Sequence, residues 1–284
     1  MQKRDSYLFP DYGRRQAKDY TIGCIAIFLI TLAITISAFP GLKKAIYSLL
    51  PVNVQQYTLL NVPFFFFLAS LYFINRYWHA RTFLSLFTYR RKISWRKFFY
   101  AFFFWFLLSA LASCIEYLQQ PSAYNRQETN VYFWLVFVLF ASCVTAVQIT
   151  TEELFVRSYL AQFTASLSSK TSIIILAPSL LFMAMHLNNP ELEKGMWAML
   201  AFYFSFAAFL AYLANKEGSI EYPLGIHFAN NLFNISILNY KGSALSSPSL
   251  FVTKRFEPQI SLLVFVVMAG IFYSITYFYK QKKM

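Results

Sequence analysis

Eight stretches of this chain are so apolar and so sparsely charged that water is the wrong solvent for most of their surface. They fall near 21–39, 58–77, 98–118, 131–153, 172–188, 196–214, 220–239 and 260–279. A helix crosses the hydrocarbon core of a bilayer with roughly 20 apolar residues. No water is available there, so each backbone N–H and C=O must be satisfied within the protein, which leaves helices as the natural solution for long apolar runs. The predicted fold is therefore all-α: a polytopic membrane protein with about eight transmembrane helices enclosing an intramembrane polar cavity. Composition adds one discriminating number. Only 13% of residues are charged, against roughly 25% in a soluble domain.

The fourth run is predicted to continue as helix to about residue 165, because 154–163 lacks Pro and Gly. The stretch Ser166-Leu167-Ser168-Ser169-Lys170 then reads as a turn. One structural domain, 1–284, accommodates three parts. These are the N-terminal tail with three helices (1–130), a core of helices (131–240), and a loop with the last helix (241–284).

The formal net charge of +13 could suggest nucleic acid, but the bases gather at helix ends. Arg76, Arg81, Arg90, Arg91, Lys92, Arg96 and Lys97 join the second and third runs. Lys3, Arg4, Arg14, Arg15 and Lys18 precede the first, and Lys280, Lys282 and Lys283 follow the last. That pattern is a topology signal, placing both termini in the cytoplasm and excluding a nucleic-acid partner. The outward loop with Lys241, Lys254 and Arg255 runs mildly against it. A long polar stretch before the first run argues against a cleavable signal peptide. Cys24, Cys114 and Cys143 show no metal or redox spacing and read as small buried hydrophobes.

Against this background a few polar residues stand out: Glu152-Glu153-x-x-x-Arg157, Phe182-x-x-x-His186 and His227-x-x-x-Asn231. Ionisable groups in hydrocarbon cost several kcal/mol each and mark functional sites by default. Glu153 and Arg157 are four apart, share a helical face and can pair. Glu152 is turned by about 100° from its neighbour and remains available as a general base. If residues 166–170 close a hairpin, Glu152 and His186 fall at a similar height and could hold a water between them. His227 and Asn231 share a face and offer hydrogen-bond donors of the kind an oxyanion hole needs. Asn230 and Asn234 lie close to that face and could stand in for Asn231.

The three elements, in this order and spacing, resemble the CPBP family of intramembrane endopeptidases. That family includes the type II CaaX prenyl endopeptidases and the bacterial Abi proteins of bacteriocin processing and self-immunity. The resemblance covers roughly residues 145–236. It implies an eight-helix fold in the bacterial cytoplasmic membrane and hydrolysis of a membrane-associated peptide or lipidated protein. Glu152 and His186 would activate water, His227 and Asn231 would stabilise the oxyanion, and Glu153 with Arg157 would support the site. No cofactor is favoured. A divalent metal such as zinc, if present, would fall to Glu152, His186 and His227, although the chain has no H-E-x-x-H and no cysteine ligand.

Plainer roles exist beside these. Glu153 and Arg157 form a structural ion pair even in an active enzyme. Phe182 is a packing residue, His79 an interfacial one, Glu116 a solvated edge, and Glu191 and Glu193 belong to a polar loop. Two other function classes compete, a non-proteolytic membrane scaffold or sensor regulator and a proton-coupled transporter. The transporter lacks support from any internal repeat. Depth poses a further problem. With alternating straight spans, His186 falls near the outer end of its helix and His227 near the inner end of its own.

Overall fold

A computed structural model describes residue Leu8 and residues 12–281. Lys3, Arg4, Lys282 and Lys283, which contribute to the topology expectation, lie outside the described residues, as does the side chain of Lys280. Each apolar run forms a helix. α1 spans Ala17–Leu49 and α2 spans Val52–Phe73, running on into a π-helical turn, Ile74–Trp78. α3 is Trp95–Gln119 and α4 is Val131–Glu153; α4 passes through a π-helical stretch, Leu154–Leu160, into α5, Ala161–Leu167. α6 (Thr171–Met185), α7 (Met196–Glu217), α8 (Glu221–Ser236) and α9 (Pro258–Gln281) complete the bundle. Counting α4 and α5 as one rod gives eight.

The gap anticipated between the first two runs closes almost completely. α1 carries Pro40 inside it and reaches Leu49, and α2 begins at Val52. Proline breaks helices in water far more readily than in a bilayer, where neighbouring groups re-satisfy the freed carbonyl. The fourth rod ends at Leu167, close to its expected limit, and Ser168–Lys170 make the turn.

Six of the rods are long and apolar enough to cross a membrane; α6, with 15 residues, and α8, with 16, are shorter. At about 1.5 Å per residue they measure only some 22–24 Å. The bundle is arranged inside out. α1 buries few residues and turns Ile25, Leu29, Leu32 and Ile36 outward, as a lipid-facing helix should. α8 buries thirteen of its sixteen residues although it carries a glutamate, a histidine and several asparagines. It is the central rod, packed most extensively against α3, with α4 and α7 also beside it. Cys114 and Cys143 are exposed on the outer surface. This corrects their reading as buried, since a bilayer accepts an apolar thiol on the outside as readily as a core does.

Close approach of α3 and α8 depends on Gly225. A Cβ there would lie 2.4 Å from the Phe98 carbonyl oxygen and 3.0 Å from the Phe102 nitrogen. Backbone atoms cannot swing aside, and small residues at such crossings are how membrane helices pack tightly. Gly225→Ala is therefore expected to destabilise the protein by about 1–3 kcal/mol and to displace His227, two residues on. Thermal unfolding and cleavage assays on the variant check both effects; a wild-type melting temperature would show that the crossing is loose.

The two ends of the bundle differ. At the end bearing the basic loop, His79 and Arg81 are fully buried. His79 bonds the Arg14 carbonyl through Nδ1 and the Tyr159 hydroxyl through Nε2, both at 2.8 Å. Arg81 donates to Tyr20, Gln162 and the carbonyls of Tyr12 and Arg14. His79 is thus an internal strut and not interfacial; burial pushes its pKa down to about 4, so it stays neutral. At the opposite end sits a small sheet in the order β1-β3-β2. β1 (Tyr124–Arg126) runs antiparallel to β3 (Phe251–Thr253), and β2 (Leu238–Tyr240) runs parallel to it. The strands are three residues each, too short to leave a period in the sequence.

Candidate active site

The site is assembled from α4 with its π-helical continuation, the end of α6, the start of α7 and the middle of α8. Glu152, Glu153, Arg157, His227 and Asn231 are all buried, whereas His186, just past the end of α6, is half-buried. The short helices remove the depth problem. α4 and α5 together run 37 residues, roughly 55 Å at about 1.5 Å per residue. α6 therefore starts far down this rod, and its end, with His186, comes back only to the level of Glu152. α8 starts inside the protein at fully buried Glu221, so His227, on its second turn, meets the same level.

Glu153 is the hub. Its Oε1 lies 3.1 Å from Arg157 Nη1, the pairing expected from the four-residue spacing. The same oxygen accepts a 2.7 Å hydrogen bond from Nδ1 of His227, 74 residues away. A carboxylate paired to a guanidinium can only accept, so Nδ1 carries the proton. That orients the ring and turns Nε2 toward Glu152, whose Oε2 stands 3.6 Å away. This distance is too long for a direct hydrogen bond. It is a separation at which a water commonly bridges two polar groups.

Glu152 has a neighbour in its own helix after all. Nε2 of Gln148 donates to its Oε1 at 3.3 Å. The ion-pair partner of Glu152 across the bundle is His227, whereas the sequence pairs it with His186. His186 nevertheless lies close enough to Glu152 and His227 to sense both electrostatically. Its Nδ1 is 2.8 Å from the Phe182 carbonyl. A carbonyl only accepts, so Nδ1 donates and Nε2 keeps a free lone pair.

Phe182 packs as expected, but against the polar groups themselves. Its ring lies under the Arg157 guanidinium, 4.4 Å from Cζ, and its centroid is 4.4 Å from that of His186 and 6.3 Å from that of His227. Tyr203 closes the other face of His186 at 4.5 Å and receives a hydrogen bond from Asn189. Asn231 lies one turn beyond His227, with Asn230 donating to its Oδ1 at 3.4 Å. Gln148, Asn189 and Tyr203 were missed from sequence. Gln148 had a signal, the same four-residue spacing that marks Glu153 and Arg157; Tyr203, on another helix, had none.

Above His186 the loop 187–195 is tied down by Glu191. This residue lies in the polar loop expected from the sequence, but its side chain is buried. Its Oε1 receives hydrogen bonds from Tyr240 Oη at 2.6 Å and Ala244 N at 2.8 Å. Strand β2 and the following loop are thereby fastened to the loop that follows His186. Among the described residues, no three His, Cys, Asp or Glu side chains converge as ligands for one metal ion. Nδ1 of His227 and Nδ1 of His186 are engaged by Glu153 and by the Phe182 carbonyl, which leaves Nε2 of each ring free to face a reacting group.

Comparison with known proteins converges on the same helices. Residues 129–233 match the family model described as type II CAAX prenyl endopeptidase, Rce1-like. This segment runs from just before α4 to near the end of α8. An uncharacterized protein of Bacillus subtilis (strain 168), YyaK, is 29% identical over 269 residues, covering 93% of this chain and 88% of the relative. No solved structure matches the chain.

Proposed function

We propose that this chain, which matches the Rce1-like type II CAAX prenyl endopeptidase model over residues 129–233, hydrolyses peptide bonds within the membrane using a water activated by Glu152. The observation that carries this mechanism is the 3.6 Å gap between Glu152 and a His227 ring held from behind by Glu153 and Arg157. With His227 carrying both protons, two carboxylates face one guanidinium and one imidazolium. The cluster then sums to zero charge, which lowers the cost of burying it.

The chemistry follows from these positions. Glu152 takes one proton from water, and the free lone pair on His186 Nε2 accepts a hydrogen bond from the other, aiming the oxygen at the carbonyl carbon. The C–O bond forms as the carbonyl electrons move onto oxygen. His227 Nε2–H and the Asn231 amide donate to that oxyanion. Glu152 then passes its proton to the leaving nitrogen as the oxyanion electrons re-form the C=O bond and the C–N bond breaks, giving a carboxylic acid and an amine. The acid then passes its proton to the amine, leaving a carboxylate and an ammonium. Glu153 and Arg157 touch no reacting atom; Glu153 accepts from Nδ1–H and so holds the His227 ring with Nε2–H toward the reacting oxygen. A membrane-associated peptide or lipidated protein is the substrate class, and the termini and basic loop occupy the cytoplasmic side.

Two experiments test this assignment. Peptidomics of membranes from cells expressing the wild type and a Glu152 variant is expected to show peptides produced by the wild type alone. Identical profiles would favour a scaffold over a protease. Because no step uses a metal, dialysis against a strong chelator is expected to leave cleavage within about twofold; loss of activity restored by zinc would overturn the metal-free mechanism.

A further inference from the structure

Beside Ala146, Ile149 and Thr150 of α4, the helices α3, α4 and α8 and the basic loop enclose a cavity of about 140 Å³. Its wall is almost wholly apolar, formed by residues such as Phe87, Phe98, Ile149, Leu224 and Phe228. The polar residues of the lining are Thr150 and Glu221; Glu221, at the first turn of α8, is fully buried and carries the charge. One of its oxygens, Oε1, accepts the Ser94 backbone N–H at 3.0 Å. The other, Oε2, is buried with no hydrogen-bond partner.

A buried carboxylate oxygen without a donor is costly, and hydrogen bonds to charged groups are among the strongest a protein makes. The apolar wall, in turn, gains dispersion contacts from any apolar body that fills it. A cavity of about 150 Å³ lined by apolar side chains is known to accept a single benzene-sized molecule. Both requirements are met by one kind of ligand. We propose that this cavity is a binding site for a small lipophilic alcohol or amine, its ring or short chain against the phenylalanines and its donor on Glu221 Oε2. Trp95, 60% exposed, stands at its rim and gives access from the membrane interface. Phe228 forms part of the wall and is the residue next to His227, so an occupant presses on the helix that carries the catalytic ring. The site stands on its own geometry and does not depend on the proposed peptidase activity.

Fluorine NMR on the full-length protein in detergent tests it with four matched probes. 4-Fluorobenzyl alcohol and 4-fluorobenzylamine carry the donor. 4-Fluorotoluene has the ring alone, and 4-fluorobenzaldehyde has only an acceptor. The two donors are expected to bind saturably and at least about tenfold more tightly than the other two. Glu221→Gln keeps an acceptor for Ser94 and presents an N–H to the cavity. It is expected to reverse the order, raising the aldehyde above the amine. Ala146→Leu, which fills the cavity from α4 with Glu221 intact, is expected to remove saturable binding of all four. Equal affinity for alcohol and toluene, or undiminished binding in Ala146→Leu, would overturn the proposal.

Discussion

Glu152→Gln is expected to lower the rate of peptide hydrolysis by about 10²–10⁴-fold, the contribution of a positioned general base. The substitution is nearly isosteric, and an amide oxygen can still accept from Gln148, 3.3 Å from Glu152 in the wild type. What it removes is the group that takes the proton of the water. Glu152 is buried at 7% exposure; losing its charge relieves its desolvation, and release of the Nε2 proton by His227 keeps the cluster neutral, so stability is expected to hold. That separates chemistry from folding. Cleavage of a membrane peptide is to be measured beside thermal unfolding and size-exclusion behaviour of the same preparation. The loss is expected in kcat with KM little changed, because the interaction is made in the transition state. Near wild-type kcat in a folded Glu152→Gln protein would sink the mechanism.

Arg157→Met is expected to be the most destabilising single change, by about 3–5 kcal/mol, because it leaves a buried carboxylate without its counter-charge. Arg157 is 1% exposed and Glu153 fully buried. Methionine keeps most of the stem volume and the contact with Phe182 that the guanidinium makes at 4.4 Å. The cost therefore falls on the charge more than on packing. Adding Glu153→Gln removes that orphan charge, and the double variant is expected to recover a large part of the lost stability. Activity is not expected to return, since the His227 Nδ1–H then faces a weaker acceptor and the ring loses its fixed orientation. A double-mutant cycle read by thermal unfolding measures the coupling. Additive losses would show that Glu153 and Arg157 do not act as a pair.

Much of this site was legible before any coordinates, and the limits of that legibility are physical. Pairing of Glu153 with Arg157 is a local event on one helix, governed by the 3.6-residue period, and could be read directly. Gln148 beside Glu152 obeys the same rule and could have been read as well. The bond from His227 to Glu153 spans 74 residues and two helices, so no local period announces it. It changes the meaning of Glu153 from a supporting charge to the group that orients the His227 ring. His79 shows the converse error. Among arginines and aromatics at a span end it has the composition of an interface, yet the chain before α1 folds back over it and Tyr159 reaches it from the fourth rod. The π-helical stretch Leu154–Leu160 was invisible too, since its residues suit an α-helix equally well.

The sequence by itself determined that this chain lives in a bilayer, that it is helical, how many rods it forms and which few polar residues stand out against its apolar helices. Those properties follow from transfer free energy and from backbone hydrogen bonds closed within each segment, and both are local. Only the tertiary structure decided depth and partnership. The length of the α4–α5 rod, the shortness of α6 and α8, and the backbone contact allowed by Gly225 set which side chains stand at one level. Those are matters of how rods of unequal length pack. They brought His227 to Glu153 and Glu152, set His186 against Phe182 and Tyr203, and enclosed Glu221 in an apolar chamber of its own.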